Sequence, residues 1–235
     1  MDQTMQPTQS NSETIKKRED QLVEDAGHAA GTAAVETVIE KQAKQRIEVE
    51  PTTATQVQSV ADPAPLGLAA FGLTTFVLSA VNAGLIPKPG EPVVLGLAFA
   101  YGGDAQFCAG MWEFRRNNTF GATAFTSYAA FWIAFALLVT FDVAKIPADA
   151  RAAAVGTFLL AWTIFTAYMT VAAIPLSRPV FVVFVLLTIT FLVLTIGAYS
   201  SQAGLTVLGG YLGLITAFGA WYASAITVIA STRKS

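Results

Sequence analysis

Two polar side chains, Asp104 and Gln106, interrupt the apolar run at residues 93–111. An ionisable or amide group in so apolar a stretch carries a desolvation cost that a functional role or a polar partner must offset. Spaced two apart, the two point to opposite faces of a regular helix. One narrow path can take both only if the backbone breaks at Gly102 and Gly103, whose missing side chains permit it. Gln106 is read as facing such a path. Asp104 could bind and release a proton, or it could sit neutral or paired where helices or subunits meet.

A second polar pair lies upstream. Phe71, Thr75, Leu78 and Asn82 fall at offsets of 0, 4, 7 and 11, within a narrow arc of one helix face. Thr75 and Asn82 either line a pathway, or bond the preceding turn and bridge helices. The single cysteine, Cys108, and the single histidine, His28, supply neither an internal disulfide nor a metal cluster. Nothing calls for a metal or another cofactor. No Ser/His pair or paired-acid motif lies in the apolar runs, which argues against an enzyme. The N-x-T sequence at Asn117–Thr119 sits in a short connection that the charge bias places inside the cell, so a glycan there is not expected.

The elements that must position these residues are membrane-spanning helices. Charged residues are 13% of the chain and hydrophobic ones 54%, against about a quarter charged in soluble domains. The charge is also concentrated: ten of the sixteen acidic and six of the fourteen basic residues precede Asp62. After it come six apolar runs, at 66–85, 93–111, 121–141, 152–174, 180–199 and 203–229. Each has about the 20 residues needed to cross roughly 30 Å of hydrocarbon as a helix. Short separators make consecutive helices antiparallel neighbours. The reading is an all-α integral membrane protein: a disordered cytoplasmic tail at 1–61, six transmembrane helices within 62–230, and a short cytoplasmic C-terminus at 231–235.

In the tail, 29–48 has the helix formers for a transient amphipathic helix, although solvated coil fits its few large apolar residues better. Residues 1–30 lack the apolar run of a secretory signal, so the first transmembrane helix directs insertion. With both termini inside, Arg115, Arg116, Arg178, Arg233 and Lys234 face the cytoplasm against Lys88, Lys145 and Arg151 outside. A net charge of −2 without interleaved basic and aromatic residues excludes a nucleic-acid surface.

Two stripes of small residues mark close packing. Gly96, Gly103 and Gly110 recur every seven residues in the second run; Gly209, Gly213, Ala217, Ala220 and Ser224 form the other in the sixth. In lipid, such stripes let another helix, of this chain or of another subunit, approach closely.

The segment Asp62, Pro63, Ala64, Pro65, Leu66, Gly67, Leu68 reads DPAPLGL and resembles the NPAPLGL signature of the acetate uptake transporter family, the succinate-acetate permease type. The block from Tyr101 to Trp132, YGGDAQFCAGMWEFRRNNTFGATAFTSYAAFW, resembles that family's second block. The likeness covers residues 62–229 and leaves the tail outside it. It implies six transmembrane helices, cytoplasmic termini, a plasma-membrane location and a homo-oligomer, often a hexamer, with a path through each subunit. It implies uptake of acetate and other small carboxylates, with protons coupled to it or through an anion channel. It also implies a constriction of bulky side chains which, by motif position, are Phe71, Tyr128 and Leu187. Thr75, Gln106 or Tyr128 would replace part of a carboxylate's hydration shell.

This chain departs from the pattern at Asp62, in place of Asn, and at Asp104, where the family has an apolar residue. The alternatives are passage of ammonia or ammonium, a role proposed for eukaryotic relatives, and a membrane sensor or assembly protein signalling through its tail.

Overall fold

The computed structural model describes residues 8–27, 37–44 and 60–233, and among these the regular structure is helical throughout. Two units are present, Met1–Ser59 and Val60–Ser235. In the first, α1 spans Thr8–Gly27, a helix absent from the sequence reading of the tail. Its Glu, Lys, Arg, Gln and Leu residues favour helix intrinsically. Residues 37–44 are helical too, with Lys44 paired to Glu40 at 2.9 Å one turn away. They fall inside the expected 29–48 segment, whose remainder, like His28, lies outside the described residues.

The second unit is a helical bundle. Its first helix, α2 (Ala64–Asn82), opens on prolines, which suit a first turn because they lack an N–H. It ends where Gly84 adopts φ 75°, a conformation open to glycine. After a 3-10 turn at Lys88–Gly90 come α3 (Val93–Phe99), a π-helical segment Ala100–Ala105, and α4 (Gln106–Arg115). The remaining helices are α5 (Thr119–Leu137), α6 (Ala148–Ala173), α7 (Arg178–Ser200) and α8 (Ala203–Thr232). A second π-helical segment, Leu138–Asp142, carries on from α5.

Among the described residues, five helices are long and apolar enough to cross a membrane: α2, the helical run at Thr119–Lys145, α6, α7 and α8. The second apolar run differs, because its helix is divided by the π segment. The break falls where Gly102 and Gly103 were expected to permit one. It fits its neighbours closely: a Cβ on Gly102 would lie 2.8 Å from both Thr74 Oγ1 and the Trp132 ring, and one on Gly103 would lie 2.9 Å from Ile133.

Both small-residue stripes are used within the chain. Gly103 and Gly110 face α5, where a Cβ on Gly110 would lie 2.7 Å from the Thr126 backbone nitrogen, while Gly96 meets nothing. On α8, Ala217 and Ala220 are fully buried, Gly213 faces Ser79, and Ser224 Oγ donates to Pro65 O at 2.7 Å. From Gly213 to Ser224 that stripe is the seam along which α8 packs on α2, whereas Gly209 meets Leu194 of α7.

Threonines tie other helices together. Thr157 pairs with Tyr199 at 2.9 Å, Thr163 with Thr195 at 2.9 Å and Thr170 with Thr188 at 2.7 Å, an antiparallel ladder between α6 and α7. Lipid supplies no competing donors or acceptors, so such bonds help define the register between helices.

Candidate functional site

A cavity of about 460 Å³ runs into the bundle from the end where α2 stops. Its mouth carries Asn82, Lys88 and Glu91; its walls come from α2, α5, α6 and α7; its deepest lining residues include Phe71 and Leu187. The lining is mainly aromatic and aliphatic, with Thr75, Ser79, Thr190 and Thr206 as its hydroxyls. Volume and composition match a site that holds a small, partly apolar molecule by a few polar contacts.

Phe71 and Leu187 are buried and belong to one core cluster with Tyr128. The Phe71 and Tyr128 ring centroids lie 5.6 Å apart. Tyr128 is not among the cavity-lining residues; its hydroxyl donates to Thr166 Oγ1 at 3.0 Å. Beneath the cavity the rings continue from Tyr128 to Phe184, 6.1 Å between centroids, and from Phe184 to Phe120 at 5.1 Å. Of the three residues aligned with a constriction, Phe71 and Leu187 line the cavity and Tyr128 packs against Phe71 behind it.

Thr75 and Asn82 both line the cavity. The Thr75 hydroxyl is buried and has no hydrogen-bond partner, whereas its neighbour Thr74 donates to the preceding turn at Ala70 O, 2.9 Å away. A buried hydroxyl without a partner costs about 1–3 kcal/mol, and a ligand carboxylate at this wall would offset that cost.

Gln106 departs from its expected place. It is fully buried, both of its amide atoms lack partners, and it is not a cavity-lining residue. Asp104 lies on the opposite, exposed face, so the π segment does not bring the two together. Phe107, Met111 and Trp112 share that exposure, which makes this face one for lipid or another chain.

The DPAPLGL segment packs against and pairs with the chain's own helices. Asp62 Oδ1 accepts from Ala64 N at 3.1 Å and pairs with Arg116 in the connection after α4. Gly67 lies under the Phe125 ring, where a Cβ would come within 2.6 Å of a ring carbon. Leu68 is buried, while Leu66 is exposed. Asp62→Asn keeps an acceptor for Ala64 but breaks a partly exposed ion pair, which is worth at most about 1 kcal/mol. A thermal melt in detergent is expected to shift by only a few degrees.

Sequence reasoning gave no site role to Glu113, Asn118 or Thr166. Glu113 is fully buried, with Oε2 accepting from Asn118 Nδ2 at 2.8 Å. Asn118 Oδ1 accepts from Gly121 N at 3.1 Å and caps α5. The available signal was an acid directly after an apolar run, followed by Arg115, Arg116 and Asn117, which reads as a solvated loop.

Residues 45–235 match the model of the family described as GPR1/FUN34/yaaH. The chain is 40% identical over 195 residues to acetate permease A of Emericella nidulans, covering 77% of this chain and 65% of that one. It is 41% identical over 184 residues to ammonia transport outward protein 2 of Saccharomyces cerevisiae, covering 76% and 65%. The succinate-acetate/proton symporter SatP of Escherichia coli is 36% identical over 163 residues, covering 69% and 86%. Among solved structures, the bacterial acetate channel SatP matches with a TM-score of 0.70 at 34% identity, covering 74% of this chain and 95% of that one. The chain thus spans about two thirds of the length of the fungal relatives.

Proposed function

The chain belongs to the GPR1/FUN34/yaaH family, and from that premise we propose that it carries acetate and similar small carboxylates across a membrane through the cavity between α2, α5, α6 and α7. One observation carries the reading: an apolar cavity with a partnerless Thr75 hydroxyl on its wall and Phe71 and Leu187 at its inner end. A carboxylate entering past Lys88 would exchange water for the Thr75 hydroxyl, while its alkyl end meets aromatic walls. Phe71, Tyr128 and Leu187 would then form a hydrophobic constriction that holds back water and hydrated ions. Names of relatives, an acetate permease and a succinate-acetate/proton symporter, support the same substrate class.

In this reading the helical run from Val93 to Arg115 is a sixth span. It is continuous through its π segment and, at about 1.5 Å per residue, long enough for the hydrocarbon core. Both termini face the cytoplasm of a plasma membrane, which agrees with the basic residues Arg115, Arg116 and Arg178 at the tail-side ends of helices. The exposed face bearing Asp104, which lipid solvates poorly, is covered by a second copy in a homo-oligomer.

A second reading, passage of ammonia or ammonium, draws on one relative's name. A cation path needs a ring of acceptors or negative charge, and the cavity offers one carboxylate, Glu91, at its mouth. Competition separates the two readings. In liposomes carrying the purified chain, excess propionate is expected to suppress labelled acetate entry, and excess ammonium to leave it unchanged. The reverse pattern favours the second reading.

A further inference from the structure

The proposed entry cavity includes no buried acid, and the acid buried among the described residues, Glu113, lies at the opposite, tail-side end. Glu113 is fully buried in the last turn of α4. One carboxyl oxygen is held by Asn118, and the other, Oε1, has no hydrogen-bond partner. A buried carboxylate is ordinarily surrounded by donors that stabilise its anion; this one has a single neutral amide. The site is closely built, since a Cβ on Gly121 would lie 2.9 Å from the Glu113 carboxyl carbon and 2.6 Å from Asn118 Nδ2.

Charged groups from each packed element define its surroundings. Asp62, just before α2, and Arg116, just after α4, both act on Glu113, and they are already paired with each other. The first nine residues of α5, Thr119 to Ser127, contain no titratable side chain, and neither do the first residues of α2, Ala64 to Leu68. Across Asp62, Glu113 and Arg116 the sum of charge is −1 with Glu113 ionised and zero with it protonated. Arg115 and Arg178 add positive charge at this end, so a carboxylate leaving by it is attracted less with Glu113 ionised than with it protonated.

Resting on the carboxylate-transport reading above, we propose that Glu113 is the proton-binding residue of the transport cycle, loaded when the substrate anion passes the tail-side end. Oε1 takes a proton from water on one side of the membrane and returns it to water on the other; no other bond forms or breaks. Protonation supplies the hydrogen that Oε1 lacks, while Oε2 continues to accept from Asn118. Because removal of the charge favours the passing anion, the anion reciprocally raises the affinity of Glu113 for its proton. The ring series Phe120, Phe184, Tyr128, Phe71 runs from the capped end of α5 to the constriction and links the two ends physically.

The test uses the full chain in liposomes, comparing the parent protein with Glu113→Gln and Asp104→Asn. Labelled acetate uptake is followed from pH 5 to 8 after subtraction of empty liposomes, with an internal dye reporting proton entry. The pH-dependent infrared carboxyl band is recorded on the same samples. Parent uptake is expected to rise several-fold as pH falls. Glu113→Gln, a neutral mimic, is expected to flatten that profile to within two-fold, abolish acetate-driven proton entry and remove one titrating carboxyl band.

Full pH dependence and proton entry in Glu113→Gln overturn the proposal. So does their loss in Asp104→Asn alone. If Glu113→Gln does not fold, Glu113→Asp replaces it: a shifted carboxyl band supports the assignment, and a parent spectrum with no titrating carboxyl band overturns it. Absence of acetate uptake by the parent refutes the transport reading instead, while the infrared titration still decides whether Glu113 binds a proton.

Discussion

Replacing Phe71 by alanine is expected to widen the path enough for acids larger than acetate, raising lactate or succinate entry relative to acetate by an order of magnitude or more. Phe71 is buried beside Tyr128 at the inner end of the cavity, with the rings in tilted contact. Its loss removes most of a side chain from the cavity lining without touching the threonine ladder between α6 and α7. Leu187→Ala acts from the facing helix and is expected to move selectivity in the same direction by less, because the side chain removed is smaller. Either truncation costs stability, about 2–5 kcal/mol for a fully packed core site and less here because one side already borders open space. Competition by a graded series of unlabelled acids against labelled acetate reads the change. An unaltered order of preference in both variants removes Phe71 and Leu187 from the constriction.

The second large effect concerns the seam between α2 and α8. A Cβ on Gly210 would lie 2.7 Å from Ala83 Cα and from the Asn82 carbonyl carbon. Backbone cannot move aside as a flexible side chain can, so Gly210→Leu must separate the two helices. Asn82 at the cavity mouth and the Ser224 bond to Pro65 depend on that pairing. Gly210→Leu is expected to yield little or no monodisperse protein by size exclusion in detergent, whereas Gly204→Leu, where a Cβ meets nothing, is expected to behave as the parent does. Equal yields from the two would contradict a seam built on glycine.

The contrast between these glycines shows what was legible in the sequence. Spans of about 20 apolar residues, proline-led starts and recurring small residues state the helical, membrane-crossing character directly, and the shared face of Phe71, Thr75 and Asn82 follows from helical spacing alone. What a stripe packs against does not follow, because a glycine seam reads the same whether its partner is α5, α8 or another subunit. Gln106 illustrates a second limit. It is buried without lining the cavity, and which residues from other helices line that wall is a long-range relation invisible in local pattern. Glu113 illustrates a third: an acid beside two arginines looks solvated in sequence, yet Gly121 and the cap at Asn118 fold the next helix over it. The tail helix α1 escaped notice because it has helix-favouring residues without the apolar periodicity that marks a packed helix.

The most direct test of the central claim is uptake of labelled acetate at mildly acidic pH, in cells lacking their own carboxylate carriers and expressing this chain. Saturable uptake above the untransformed background, competed by unlabelled propionate, is the predicted result. Uptake indistinguishable from that background, with the chain present in the membrane, would contradict the account.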